Sequence, residues 1–290
     1  TNGQKFISGN KCERGAGKKL QSDLPNMVAY KNQLFNAIPL KAGGRAKIGL
    51  PRALNIYEML PFWAELFRSL DCDVVLSRVS NRSIYMKGQN TIPSDTVCYP
   101  AKLVHGHIID LLEKDIDAIF YPCMSYTFDE GISDNCYNCP VVAYYPELIQ
   151  ANITDIEKVH FLYPHLGIEN HKLFAERMYE EFKNIIPRLT KKEMEKATEN
   201  AFTTYYEYRE TIRQEGSRVL KFAEENNHPV IILASRPYHI DPEINHGLDR
   251  LLNSLQFVTV TEDALYPVEG KLTTKTLNQW GYHARMYNAA

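Results

Sequence analysis

The sequence predicts an α/β protein: two parallel-sheet domains of the Rossmann or flavodoxin kind, joined by a helical segment. Three observations carry that expectation. Over 46–169, short apolar or β-branched runs alternate with stretches of helical period. The same alternation returns over 229–290, and between the two, 170–228 is charged, nearly free of glycine and helical in period. Parallel strands need crossover connections, and helices usually supply them.

Taken in order, residues 1–45 form an N-terminal extension that carries Cys12. "KIGL" at 47–50 has the apolar content of a buried strand, Leu54 to Leu70 place apolar residues at helical spacing, and "CDVVLS" is a β-branched run. A helix with Leu103, Val104, Ile108, Leu111 and Leu112 follows, then a strand, "DAIFYP". "CPVVAYYPELI" reads as a further strand followed by the start of a helix. The charged segment is expected to give two or three exposed helices bridging the domains. From His228, "HPVIILASRPYHIDPEINHGLDRLLNSLQFVTVTEDAL" reads as strand, polar loop, helix and strand.

Composition narrows the function classes. With 290 residues, 44% apolar and 23% charged, the chain is long enough for two domains and typical of a soluble globular protein. A formal charge of −2, with both signs scattered, predicts none of the basic face that nucleic-acid binding requires. No run approaches the roughly 18 apolar residues that suggest a membrane span, and no signal segment opens the chain, so the cytoplasm is expected. The start at Thr1 and the ending "NQWGYHARMYNAA", whose aromatic residues have no evident partner, read as an excised piece of a longer polypeptide.

Six cysteines occur: Cys12, Cys72, Cys98, Cys123, Cys136 and Cys139. A chain of this size needs no disulfide staples, which leaves reduced thiols, metal ligands or core residues. Cys72 opens a buried strand and reads as core. Cys98 opens a helix, where free N–H groups favour thiolate, and Cys123 follows a strand on the edge where ligands of open parallel sheets bind. The "CYNC" spacing of Cys136 and Cys139 is shared by zinc sites, redox dithiols and chance pairs. Ligands scattered over several loops suit an iron–sulfur cluster better than zinc, which usually takes two close pairs.

His105 and His107 sit two residues apart on one helix and cannot face a common site. "ASRPYHIDPEINHG" is denser. Arg236, Tyr238, His239, Asp241, Glu243 and His246 share one loop after a strand, where Arg can grip a phosphate or carboxylate and His or Asp can handle protons. Alternatively Pro237 and Pro242 shape a turn and Asp241 caps the next helix. "RGAGKKL" lacks the first Gly and the final Ser or Thr of a phosphate-binding loop, and no G-x-G-x-x-G follows a strand.

These stretches together resemble a known family, the CoA-substrate-specific enzyme activase-associated proteins, related to 2-hydroxyacyl-CoA dehydratase subunits and double-cubane cluster proteins. The resemblance rests on "FISGNKCERG", "IGLPRALNIYEMLPFW", "TIPSDTVCYPAKLVHGHI", "FYPC", "YNCPVV" and "SRPYHIDPEINHG", spread from Phe6 to Gly247. It implies an iron–sulfur protein, with a 4Fe–4S or double-cubane cluster held by Cys98, Cys123 and Cys139, and with Cys12 in a further motif. It also implies an ATP-dependent activase domain or subunit as partner and an acyl-CoA as substrate, the cluster passing on one low-potential electron. Cys136 stands where the family has another residue. Members are generally longer, and their actin-like ATPase domain has no counterpart in this sequence. Two other readings stay open: a non-catalytic α/β docking module that is metal-free or binds zinc, and a binder of phosphorylated small molecules through Arg236.

Overall fold

The structure is a computed structural model that describes residues 22–41, 43–266 and 274–290. The first helix, α1 (Met27–Ala37), starts where the Asn26 side chain accepts a hydrogen bond from the Ala29 amide at 3.0 Å. Strand β1 (Lys47–Leu50) then alternates with helix α2 (Ile56–Arg68), strand β2 (Asp73–Leu76), helices α3 (Arg82–Gly88) and α4 (Tyr99–Leu112) and strand β3 (Ala118–Phe120). Apolar residues lie nearly all round α2, and all but two of its side chains are buried. Helices α3 and α4 touch backbone to backbone. A Cβ on Gly106 would lie 1.9 Å from the Ile84 carbonyl oxygen, so only glycine allows this approach.

Two short strands extend the sheet. After β3 the chain passes Tyr121-Pro122 into β4 (Cys123–Met124), and after helix α5 (Pro140–Asn152) strand β5 (His160–Leu162) passes Tyr163-Pro164 into β6 (His165–Leu166). Strands β2, β1, β3 and β5 pair in that order, all parallel, and β4 pairs with β6, also parallel. Phe120 faces Leu162 and Cys123 faces His165, the same offset along the chain, so the register runs unbroken across both Tyr-Pro steps. The Tyr121 amide donates to the Leu162 carbonyl at 2.9 Å and the Cys123 amide to that of Pro164 at 3.0 Å. Proline lacks a donor, which is why each strand is interrupted at its proline while the ladder continues.

One expectation is corrected here. "CPVV" is not a strand: Pro140 is the first residue of α5, and Val142, Ala143, Tyr145 and Ile149 bury one face at helical spacing. Proline fits the first helical turn, where its missing N–H costs nothing.

The charged segment forms two helices, α6 (His171–Phe182) and α7 (Lys191–Glu225). A capping box between Thr190 and Glu193 starts α7. Its buried stripe includes Ala201, Phe202 and Tyr205, and Phe202 meets Phe62 of α2 edge-on at 4.9 Å. Strand β7 (Val230–Leu233), the short helices α8 (Pro242–Asn245) and α9 (Leu248–Ser254) and strand β8 (Val258–Thr261) follow, and β7 and β8 form a separate two-stranded parallel sheet. Residues just before α1 join this sheet through a bridge from Asn26 to Thr259. The last helix, α10 (Gly281–Ala289), returns to the first half of the chain, where Tyr137 bridges Trp280 and Tyr282 is buried.

A buried ionic network ties these parts together. Glu58 of α2 meets Arg209 of α7, Arg285 of α10 at 2.9 Å and the Tyr205 hydroxyl at 3.1 Å. Glu130 meets Arg285, and Arg209 at 3.2 Å. Nearby, Lys31 of α1 pairs with Asp263 at 2.7 Å. Glu262, also buried, is held above the ordinary carboxylate range, first by burial and then by the negative charge of Asp263. The folded chain therefore binds a proton at Glu262 that the unfolded chain releases sooner. That contribution to stability is complete at low pH and is lost as pH rises from the ordinary glutamate value through the raised folded one. Glu262→Gln should remove this loss. In urea unfolding, the wild type should lose on the order of 2 kcal/mol between about pH 5 and about pH 8 relative to the variant, and equal pH slopes would contradict the assignment.

Candidate functional site

Two of the cysteines begin helices in nearly the same way. Cys98 caps α4 with φ −62° and ψ 150°, and Cys139 caps α5 with φ −63° and ψ 155°. A proline follows in the first turn of each, Pro100 and Pro140, and neither thiol bonds to its own helix. Both sulfurs thus stand at helix N-termini without capping them. Cys98 is exposed and Cys139 half-buried. Cys123 is fully buried in β4, and its thiol is pushed up to about 12 by burial first and then by the charge of Glu147.

A single buried phenol senses all three. Tyr121 is 1% exposed, and its hydroxyl has no hydrogen-bond partner among the described residues. Burial raises its pKa well above the usual tyrosine value, and Tyr145, Cys123, Cys139 and Cys98 raise it further, in that order. Such charge effects fall off with distance, so the three sulfurs share one neighbourhood around this hydroxyl. Tyr145 is itself pushed to about 12 by burial and by Cys98. Its hydroxyl lies 3.0 Å from His105 Nε2, and the other ring nitrogen of His105 lies 2.8 Å from the Thr91 hydroxyl.

The loop from Arg236 to His246 reaches the same place. Tyr238 is raised to about 12 by burial, lowered by Arg236 and raised again by Cys139 and Cys98. Glu243 accepts from the Tyr99 hydroxyl at 2.9 Å, next to Cys98 in sequence. Buried Asp241 caps α8 by accepting from the Glu243 amide at 2.8 Å and also accepts from the Tyr57 and Ser80 hydroxyls, which pins the loop to the first half of the chain. Arg236 Nη2 lies 2.9 Å from His283 Nε2, and among the described residues the guanidinium meets no carboxylate.

His239 accepts from the Arg236 amide at 3.1 Å and stacks on Tyr238. His246 is exposed at a left-handed turn, φ 55°. Cys136 lies 3.6 Å from the Ser133 hydroxyl. Cys72 is a core residue, fully buried, and His107 is a core histidine bonded to Ser77 and Ser80, both at 2.9 Å. Cys12 lies outside the described residues.

Sequence reasoning missed Tyr121, Tyr145, Glu147 and His165. Glu147 Oε1 and His165 Nε2 are 2.9 Å apart, and together with the Cys123 sulfur their ligand atoms all lie within 4.8 Å of one another. Beside them a pocket of about 380 Å³ is lined by Val97, Pro140, Tyr144, Tyr145, Glu147 and Leu148, among others. The repeated Tyr-Pro pair in "FYPC" and "LYPH" was the available signal for His165.

A family model described as "CoA enzyme activase uncharacterised domain" matches residues 47–265. No curated protein and no solved structure was found to match.

Burial and thiol acidity should set reactivity. In reduced, chelator-treated protein near pH 8, alkylation followed by peptide mass spectrometry should find Cys98 modified first. Cys72 and Cys123, both raised to about 12, should react about 100-fold more slowly or less. Equal rates at Cys98 and Cys123 would contradict the placement of Cys123.

Proposed function

The chain belongs to the CoA enzyme activase uncharacterised domain family, and on that premise we propose that it is the iron–sulfur component of a CoA-substrate activase or 2-hydroxyacyl-CoA dehydratase-like system. Cys98, Cys123 and Cys139 would hold a 4Fe–4S or double-cubane cluster, with Cys12 as a further thiol, and an ATP-dependent activase domain or subunit would be the partner. One arrangement supports this reading: Cys98 and Cys139 cap α4 and α5, which the Tyr145–His105 contact joins, and α5 packs on β4, where Cys123 lies two residues from the buried Tyr121 hydroxyl that has no partner among the described residues. In it, the two sheets are the cores of Rossmann- or flavodoxin-like halves bridged by the helices of 170–228.

The residues fit such a group. Thiolates are the soft donors that iron–sulfur clusters take, and a buried O–H without an acceptor is what a nearby sulfur ligand would satisfy. When bound, the cluster supplies one-electron chemistry at low potential. The chain's own groups do the rest. Cys98 and Cys139 sit at the N-termini of α4 and α5, and Pro100 and Pro140 fix the backbone beside them. The Tyr121 hydroxyl donates a hydrogen bond toward the sulfurs, while Arg236, which meets no carboxylate among the described residues, holds the anionic part of an acyl-CoA beside Tyr238.

Iron and acid-labile sulfide in anaerobically prepared protein test this. About four of each per chain, or about eight for a double cubane, is expected. Cys98→Ser, Cys123→Ser and Cys139→Ser should each lose more than about half of the iron, while Cys72→Ser lowers the unfolding midpoint and keeps it. Wild-type iron in all three ligand variants, or no iron in the reconstituted wild type, would overturn the reading.

A further inference from the structure

We propose that Cys123, Glu147 and His165 form a mononuclear site for a divalent transition metal of the zinc class, separate from the three-cysteine set and sharing with it only the Cys123 sulfur. The inference does not rest on the cluster reading.

Regular structure fixes all three side chains. Cys123 and His165 are register partners on adjacent parallel strands, so their side chains leave the same face of the β4–β6 ladder. Glu147 comes from α5, which packs over β4. The Tyr144 ring, a turn earlier on α5, lies 6.0 Å from that of His165 and confines it. Sites on strands and helices hold their geometry better than sites on loops.

The spacing is near that of a bound metal. With zinc–sulfur bonds of about 2.3 Å and zinc–nitrogen or zinc–oxygen bonds of about 2.0–2.1 Å, tetrahedral ligands lie about 3.3–3.7 Å apart. Atoms already within 4.8 Å of one another, with Glu147 and His165 at 2.9 Å, need shift by only about 1 Å to reach this. An ordinary His–Glu pair explains the 2.9 Å contact between Glu147 and His165, but not the buried thiol beside both. The donor set selects the ion. A thiolate argues against magnesium and calcium, and imidazole with carboxylate argues against copper(I), leaving zinc or its spectroscopic stand-in cobalt(II). Access is open, because the side chains of His165 and Glu147 are 51% and 53% exposed, and the 380 Å³ pocket adjoins Glu147, leaving room for a fourth, non-protein ligand.

Cobalt(II) titration of aerobically purified, reduced and chelator-treated protein tests the proposal. One cobalt per chain should bind with a thiolate-to-cobalt charge-transfer band. Glu147→Gln and His165→Ala, changes to half-exposed side chains that leave the fold intact, should each weaken binding by about 10-fold or more. Cys123→Ser should lose the band with an unchanged far-ultraviolet spectrum, and Cys139→Ser should bind as wild type. Unchanged cobalt affinity in the Glu147 and His165 variants, or loss of the band in Cys139→Ser, would overturn it and assign cobalt to the three cysteines. Anaerobic iron content, which Glu147→Gln and His165→Ala should leave unchanged, keeps this result distinct from failure of the cluster reading.

Discussion

The unbroken register of β3-β4 against β5-β6 is the constraint on which the site depends. Each strand passes through a Tyr-Pro step, yet Phe120 still faces Leu162 and Cys123 still faces His165. Because side chains alternate between sheet faces, a slip of one residue in either strand would move Cys123 and His165 to opposite faces. The same ladder holds Tyr121, whose amide is bonded to Leu162, so the phenol and the thiol two residues later are set by one piece of backbone. The cysteine-capped helices lie beside this ladder, α5 packing on β4 and Tyr145 of α5 meeting His105 of α4, and the contact at Gly106 locks α4 against α3.

The ionic network plays the matching part at longer range. Glu58, Glu130, Arg209 and Arg285 come from four separated stretches; three are buried and Glu130 is partly so. Buried ion pairs gain little over apolar packing, but losing one partner leaves an uncompensated charge and costs about 3–5 kcal/mol. Such a network specifies one arrangement rather than adding much stability. Here it specifies how α7 and α10 lie against α2, and so where His283, two residues before Arg285, meets Arg236.

Much of the architecture was legible because it rests on local periodicity. "KIGL", the apolar spacing from Leu54 and the helix after Cys98 carry their structure within a few residues. "CPVV" misled because a short β-branched run after a loop has no period of its own, and the first-turn proline decided for helix. Cys98, Cys123 and Cys139 could be singled out because cysteine beside proline is visible locally. Tyr121, Glu147 and His165 could not, since their roles come from strand pairing and helix packing between residues far apart in sequence. The closing aromatic segment was opaque for the same reason: Tyr282 and Arg285 find their partner in Glu58, more than two hundred residues away.

Anomalous diffraction at the iron absorption edge, from crystals grown without oxygen, tests whether the three thiols converge to hold a cluster. One strong iron peak is expected, bounded by the sulfurs of Cys98, Cys123 and Cys139 and approached by the Tyr121 hydroxyl. Absence of iron between those sulfurs, or an iron peak at Glu147 and His165 alone, would contradict it.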